Sequence, residues 1–164
     1  MHRMTYPLSA SLALCLSAPA AVAQNGIVEA LQSGETQLHL RTRFEDVDQD
    51  GVEGASAFTQ KTRLTYASGR YEGFSLLLEM DDTTAITDVD YNDGTGINPG
   101  TAVIAVPEGT EINQSYLTYQ AGATQVKYGR QRILLDNQRF VGGVGWRQNE
   151  QTYDGFSVSS KAVD

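Results

Sequence analysis

The fold of this chain is decided by a stretch that reads Gln37-Leu38-His39-Leu40-Arg41-Thr42-Arg43-Phe44-Glu45. Its even-numbered residues are apolar or uncharged, and its odd-numbered residues are polar or charged. Successive side chains of a β-strand point to opposite faces, so the stretch predicts a strand with one apolar side and one cationic side. A soluble sandwich turns its apolar side inward, whereas a membrane barrel turns it outward around a polar lumen. The rest of the sequence has to decide between these two architectures.

The first 23 residues have the pattern of a secretory signal peptide. His2 and Arg3 precede an apolar run that closes at residues 21–23 on an Ala-Val-Ala cleavage site. The run is short for a helix that spans a bilayer, and Pro19 interrupts it. We therefore predict a signal peptide at residues 1–23, a periplasmic lead-in at 24–36 and the strand-forming part at 37–164.

Cysteine content and charge narrow the function classes. Cys15 is the only cysteine and lies in the predicted signal peptide, where the bulky Leu14 before it argues against a lipoprotein anchor. The exported part therefore has no disulfide and no thiol chemistry. After residue 23, 20 acidic residues face 11 basic ones, a net charge of −9 that argues against a nucleic-acid partner. No run of 18 apolar residues follows residue 23, so no membrane-spanning helix is predicted.

Alternating stretches recur along the chain with connections of unequal length. They predict a short helix from Ile27 to Leu31 and six strands at residues 37–45, 58–67, 74–80, 112–120, 124–130 and 153–159. The connections between the strands are long, short, long, short and long, which is typical of outer-membrane barrels. The predicted fold class is all-β, an antiparallel transmembrane β-barrel, here a partial barrel of about six strands. A secreted soluble β-sandwich that binds carbohydrate or calcium is the alternative.

Basic residues lie at the alternate positions of the predicted strands that form their polar side. Arg41, Arg43, Lys61 and Arg63 do so on the first two strands, and Lys127 does so on the fifth. Rings of arginine or lysine make a pore favour anions, so these residues are candidates for lining a lumen. The alternative is that they are ordinary exposed charges paired with Glu45, Glu79 or Asp154. A bulge at Gly129 is also expected, which leaves the facing of the arginines after it open.

Metal-binding and catalytic signals are weak. Asp46, Asp48 and Asp50 precede Gly51 as in the start of a calcium loop, but Ala57 stands where such a loop has its glutamate. They remain weak metal candidates in what is otherwise a solvated acidic loop. The adjacent carboxylates Asp81-Asp82 do not by themselves indicate a glycosidase. We predict neither an enzyme nor a cofactor.

The stretches that carry a family resemblance lie mainly in the last third of the chain. Residues 129–142 read GRQRILLDNQRFVG, residues 145–156 read GWRQNEQTYDGF, and residues 107–117 read PEGTEINQSYL. In these stretches, and in shorter pieces at residues 47–51, 62–64 and 73–75, the chain resembles the alginate export family of outer-membrane porins, and the likeness covers nearly all of residues 37–160.

The resemblance implies a large monomeric β-barrel in the bacterial outer membrane, surrounded by lipid and lipopolysaccharide. Its arginine-rich pore would pass an acidic polysaccharide or another anionic solute without a cofactor. The family's third long connection partly enters the pore, which adds four candidate lining residues: Arg130, Arg132, Arg139 and Arg147. Family members are longer and end in an aromatic strand, so residues 37–164 are predicted to be the truncated N-terminal part of such a barrel.

Overall fold

Alternating side chains along this chain form extended strands that pair with their neighbours in sequence. A computed structural model of the protein describes the backbone of residues 8–16 and the whole of residues 26–161. The described residues form one antiparallel sheet of seven strands in sequence order. The elements are β1 (Leu8–Leu16), α1 (Ile27–Gln32), β2 (Glu35–Val47), β3 (Ala55–Ala67), β4 (Phe74–Ala85), β5 (Gly109–Ala121), β6 (Thr124–Gln131) and β7 (Tyr153–Ser160).

All six predicted strands and the short helix are confirmed. The strands extend further toward the long connections than predicted, most clearly in β4, which continues to Ala85. Asp81 and Asp82 had suggested a loop, but Arg63 and Thr62 of β3 stand opposite them and continue the ladder. The sheet is single-layered, which confirms the all-β class and differs from the two packed sheets that a sandwich requires.

Strand β1 was not predicted. Its backbone pairs with β2 in continuous register, from Leu8 opposite Phe44 to Leu16 opposite Thr36. These residues fall inside the predicted signal peptide, a prediction that the pairing does not test. The physical reason for the pairing is that β2 would otherwise present a row of unpaired N–H and C=O groups, which accept any extended segment.

One face of the sheet is apolar and exposed, and we call it the apolar face. It carries Leu64, Phe74, Leu78, Met80, Ile112, Leu117, Tyr119, Tyr128, Phe156 and Val158, each more than 40% exposed. Aromatic pairs bridge neighbouring strands on this face, with ring centroids 4.6 Å apart for Phe74 and Tyr119 and 4.4 Å apart for Tyr128 and Phe156. A soluble monomer rarely exposes so large a contiguous apolar surface. No helix in the described part of the chain is long and apolar enough to cross a membrane.

The irregularity in the sheet lies in β5 and not at Gly129. Registers through Gly129 are continuous on both sides, so the predicted bulge there is wrong. Instead, Glu79 stands opposite Gln114 while Met80 stands opposite Ile112, which leaves Asn113 as the extra residue. Gly129 has a different role, because its φ is +127° and a Cβ on it would lie 2.3 Å from the carbonyl oxygen of Ser115.

The Gly129→Ala variant is expected to lose about 2–3 kcal/mol of unfolding free energy, because alanine is strained at this φ and collides with β5. Denaturant unfolding in detergent micelles, followed by circular dichroism, measures the loss. Gly155→Ala is the matched control, since Gly155 stands directly opposite on β7 and a Cβ there meets nothing within 4 Å. Equal stability of the two variants would contradict this account of Gly129.

Candidate functional site

The second face of the sheet, which we call the polar face, gathers the charged side chains of β2, β3 and β4. Strand alternation places Arg41, Arg43, Lys61, Arg63 and Asp81 on it. Arg43, Lys61 and Asp81 are almost fully buried, at 1%, 2% and 1% exposure. The burial comes from the two longest connections, residues 86–108 and residues 132–152, which we call loop 86–108 and loop 132–152.

Loop 86–108 covers the polar face where β3 begins. Its apolar residues Tyr91, Ala102, Ile104 and Val106 form a small core against Ala55 and Ala57 of β3. Backbone hydrogen bonds hold the loop to the connection between β2 and β3, from Glu53 N to Gly100 O and from Ala102 N to Glu53 O, at 3.1 and 2.8 Å. Long polar loops need such internal packing to take one conformation. This loop therefore belongs to the fold and is not a free excursion.

Loop 132–152 lies on the cationic residues of β2. The Arg41 guanidinium donates hydrogen bonds to the carbonyls of Gly145, Trp146 and Arg147 at 3.1, 2.6 and 3.1 Å. Arg43 also donates to the Trp146 carbonyl, at 2.5 Å. The guanidinium carbons of Arg43 and Arg147 lie 4.9 and 4.4 Å from the centroid of the Trp146 ring. Both arginines therefore make cation–π contacts with this ring.

Gln148 fastens the same loop to the interior of the site. It is fully buried, and its Nε2 donates to the Arg41 carbonyl at 3.2 Å and to the Thr59 hydroxyl at 3.0 Å. Burying an amide N–H group without a hydrogen bond costs free energy, so these two bonds fix how closely loop 132–152 approaches the sheet. Loop 132–152, the third long connection, therefore lies against the polar face.

An ionic cluster of three cations and three carboxylates forms the centre of the site. Arg63 makes a bidentate contact with Asp81 at 2.7 and 2.6 Å and reaches Glu150 at 2.9 Å. Lys61 lies 3.9 Å from Asp81 and 3.8 Å from Glu150. Arg132 contacts Glu150 at 2.5 Å and Glu79 at 3.3 Å. Since the charges balance, the cluster as a whole is close to neutral.

Glu79 is held in place by the bulge in β5. The extra residue lets Asn113 and Gln114 both point to the polar face, where their amides donate to Glu79 Oε1 at 2.7 and 3.0 Å. The Thr65 hydroxyl donates to Glu79 Oε2 at 3.1 Å. Gln114 also accepts from the backbone N–H of Arg132 at 3.0 Å, which ties the start of loop 132–152 to β5. Bulges commonly re-aim side chains in this way beside functional sites.

Electrostatics keep the loop carboxylate ionised. Burial acts to raise the pKa of Glu150, but the charges of Arg63 and Arg132 and the hydrogen bonds from both outweigh it. The pKa of Glu150 therefore lies below its ordinary value. In loop 86–108, burial and then the nearby Glu108 raise the pKa of Tyr91, whose neutral hydroxyl donates to the Val106 carbonyl at 3.1 Å.

Four of the candidate lining cations lie outside the cluster and divide into two groups. Arg43 pairs with Glu45 at 2.5 Å. Arg41, Lys127 and Arg147, by contrast, have no carboxylate within 4.0 Å among the residues that the structure describes. Lys127 Nζ lies over the Tyr116 ring, 4.7 Å from its centroid, and Arg147 donates to the Ala105 carbonyl at 3.3 Å.

Two of the candidate lining residues lie elsewhere. Arg130 belongs to the apolar face, where it pairs with the exposed Asp154 at 3.0 Å and donates to the Ile112 carbonyl, so it does not share the polar face with Arg41, Arg43, Lys61 and Arg63. The reason is that β6 keeps its register through Gly129, so Arg130 shares its face with Tyr128. Arg139 lies in the exposed part of loop 132–152, 5.5 Å from the Phe140 ring, and contributes nothing to the cluster.

The acidic loop after β2 does not gather its carboxylates into a site. Asp46, Asp48 and Asp50 are exposed. Within residues 26–161, no group of three or more His, Cys, Asp and Glu side chains could hold a metal ion. The adjacent Asp81 and Asp82 point to opposite faces, one to Arg63 and the other to the Thr110 hydroxyl, so they do not form a catalytic pair.

The functional residues that the sequence did not single out are the carboxylates of the cluster. Glu79 entered only as one alternative pairing partner, and Asp81 and Glu150 were not assigned to the basic residues. The position of Asp81 on the polar face could have been predicted from strand alternation, because Asp81 lies two residues after Glu79 and so points to the same face. Glu150 had no such signal, since it lies 87 residues from Arg63 in a loop. Of the alternative pairings, Arg43 pairs with Glu45 and Arg63 with Glu79, but Arg43 is buried and not exposed, and Asp154 pairs with Arg130.

Comparison with known proteins identifies a family. The family model described as alginate export matches residues 34–163, which is most of the chain. No curated protein and no solved structure matched. The match covers β2 to β7 and both long loops of the polar face. The chain therefore belongs to the alginate export family, a family of outer-membrane transport proteins.

Proposed function

We propose that this chain forms part of the wall of an outer-membrane passage for anionic solutes, acidic polysaccharides among them. The observation that carries the proposal is the division of one sheet into an exposed apolar face and a polar face rich in cations. Lipid covers the first face in a membrane barrel, and the second lines the lumen. In this arrangement residues 1–23 act as the export signal, and lipid and lipopolysaccharide surround a monomeric barrel.

Not every cation of the polar face serves the solute in this proposal. Lys61, Arg63 and Arg132 face three carboxylates, so their charge is already compensated. Arg41 and Arg147 instead donate to backbone carbonyls. A guanidinium is attracted more strongly to the full negative charge of a carboxylate than to the partial charge of a carbonyl, so these two groups gain by turning to an acidic sugar. Several such weak contacts allow both capture and release.

The position of the two arginines fits a sugar chain. Both contact the segment around Trp146, beside a cleft lined by Arg132, Val144 and Gly145. Anionic solutes that approach from the loop side would meet Arg147 and Arg41 before the compensated cluster. The proposed mechanism is therefore passive and electrostatic, and it needs no cofactor.

The Arg41→Gln variant is expected to bind an alginate oligosaccharide about tenfold more weakly than the unaltered protein, which corresponds to a loss of about 1.4 kcal/mol of binding free energy. Trp146 is the only tryptophan, and its contact with Arg43 and Arg147 makes its fluorescence a direct reporter. The titration is done in detergent micelles at low salt, with a neutral oligosaccharide of the same length in parallel.

Arg130→Gln is the matched control, because Arg130 lies on the apolar face and its loss is expected to leave binding unchanged. Arg41→Lys keeps the positive charge and is expected to restore part of the affinity. Added salt should weaken binding of the acidic oligosaccharide, since screening acts on charged contacts. Equal binding of the acidic and neutral oligosaccharides would overturn the proposed function.

A further inference from the structure

Helix α1 carries an apolar surface that nothing in the described residues covers. Ile27, Val28 and Leu31 are 60%, 49% and 46% exposed. Positions i, i+1 and i+4 lie within about 100° of each other around a helix, so these three side chains form one continuous face. Ala30 points away from that face and is buried at 8% exposure.

The last turn of α1 is fastened to the end of the sheet where the short connections lie. The backbone N–H of Gly69 donates to the Ala30 carbonyl at 2.7 Å, and the Tyr66 hydroxyl donates to the Leu31 carbonyl at 2.5 Å. Gly34 lies so close to the Tyr66 ring that a Cβ on it would be 2.5 Å from the ring. The helix therefore has one position relative to the strands.

Tyr66 links the helix to the apolar face. It belongs to the same alternating set of β3 as Leu64 and stands opposite Leu78 of β4. The hydroxyl that holds α1 thus comes from the face that the proposed function places in lipid. Tyrosines are enriched at the level of the lipid headgroups, where an apolar ring and a polar hydroxyl meet different surroundings.

We infer that α1 is an interfacial anchor whose face of Ile27, Val28 and Leu31 lies in the lipid at the boundary between headgroups and acyl chains. Lipid is the occupant because Tyr66, which belongs to the apolar face, holds the last turn of α1 through the Leu31 carbonyl. Interfacial helices bury such apolar faces about 5–10 Å into the membrane surface. The only charged residue of α1 is Glu29, and its last turn has no basic residue. Apolar burial alone therefore drives the contact, and anionic lipid adds nothing to it. The inference rests on the proposed function for the orientation of the sheet.

Site-directed spin labelling in phosphatidylcholine vesicles tests this inference. Single cysteines replace Ile27, Val28 or Leu31 in a Cys15→Ser background, and Glu29→Cys, on the opposite side of the helix, is the matched control. Oxygen reports lipid exposure, and a water-soluble nickel complex reports exposure to water. Labels at positions 27, 28 and 31 are expected to show a ratio of oxygen to nickel accessibility several times that at position 29. Replacing half of the lipid with phosphatidylglycerol should leave the ratios unchanged.

A label at Phe156→Cys, on the apolar face, separates this inference from the proposed function. If position 156 reports lipid while positions 27, 28 and 31 resemble position 29, the anchor is wrong and the barrel orientation stands. If position 156 also reports water, both fail. Labels at 27, 28 and 31 that are shielded from both reagents would show that protein covers α1, which overturns the lipid contact as well.

Discussion

Replacing Arg63 with methionine is expected to lower the free energy of unfolding by about 3–5 kcal/mol, the usual cost of removing one partner from a buried ionic cluster. Arg63 is 14% exposed and contacts Asp81, Glu150 and Glu79 at 2.6, 2.9 and 3.5 Å. Without it, the three carboxylates face only Lys61 and Arg132, and Asp81 loses its bidentate partner. Denaturant unfolding in micelles, followed by circular dichroism, measures the change.

Arg130→Met makes the same substitution on the other face of the sheet. Arg130 and Asp154 are 44% and 67% exposed and lie one residue from the ends of β6 and β7, next to loop 132–152, where water reaches them in the proposed orientation. Ion pairs exposed to water contribute little to stability. The Arg130 variant is therefore expected to unfold almost as the unaltered protein does. If both substitutions destabilise the protein equally, the ionic cluster does not organise the polar face as described.

Replacing Glu150 with glutamine is expected to loosen loop 132–152. Glu150 is the only carboxylate that this loop contributes to the cluster, and it contacts Lys61, Arg63 and Arg132 at 3.8, 2.9 and 2.5 Å. The amide keeps the shape but leaves the three cations facing two carboxylates. Trypsin should then cleave after Arg139 or Arg147 at least about tenfold faster, since about 1.4 kcal/mol of local opening free energy changes the open population tenfold.

Asp136→Asn is the control within the same loop, because Asp136 is exposed and makes no contact with the cluster. Its cleavage rate is expected to match that of the unaltered protein. Equal rates for the Glu150 and Asp136 variants would show that the cluster does not hold the loop.

The lowered pKa of Glu150 gives the same contact a defined pH dependence. The carboxylate is more acidic in the folded protein than in the unfolded chain, so its contribution is fully present above about pH 4.5. The contribution is lost only as the pH falls below that value and the group is protonated. Trp146 fluorescence should report release of the loop in this acidic range, and the Glu150→Gln variant should show no such step. A step that persists in the variant would assign it to another group.

The alternation of residue types along the chain was sufficient to predict the strands, the short turns and the face of the sheet on which most side chains lie. The alternation in residues 37–45 placed Arg41 and Arg43 on one face of β2 without knowledge of any partner strand, because alternation is a property of the strand itself. It left the face of Arg130 open, because Gly129 suggested a bulge that the register does not contain. It also stopped β4 too early, because two aspartates resemble a loop when their partners on β3 are not considered.

The sequence by itself determined an all-β chain with one apolar and one cationic side to its strands, since each residue's face follows from its neighbours along the chain. Only the tertiary structure decided that much of the cationic side is already neutralised. Arg63 meets Asp81 across 18 positions and Glu150 across 87, and a single extra residue in β5 turns Asn113 toward Glu79. Charges that meet across strands and loops depend on register and on how loops fold back, which strand periodicity does not encode.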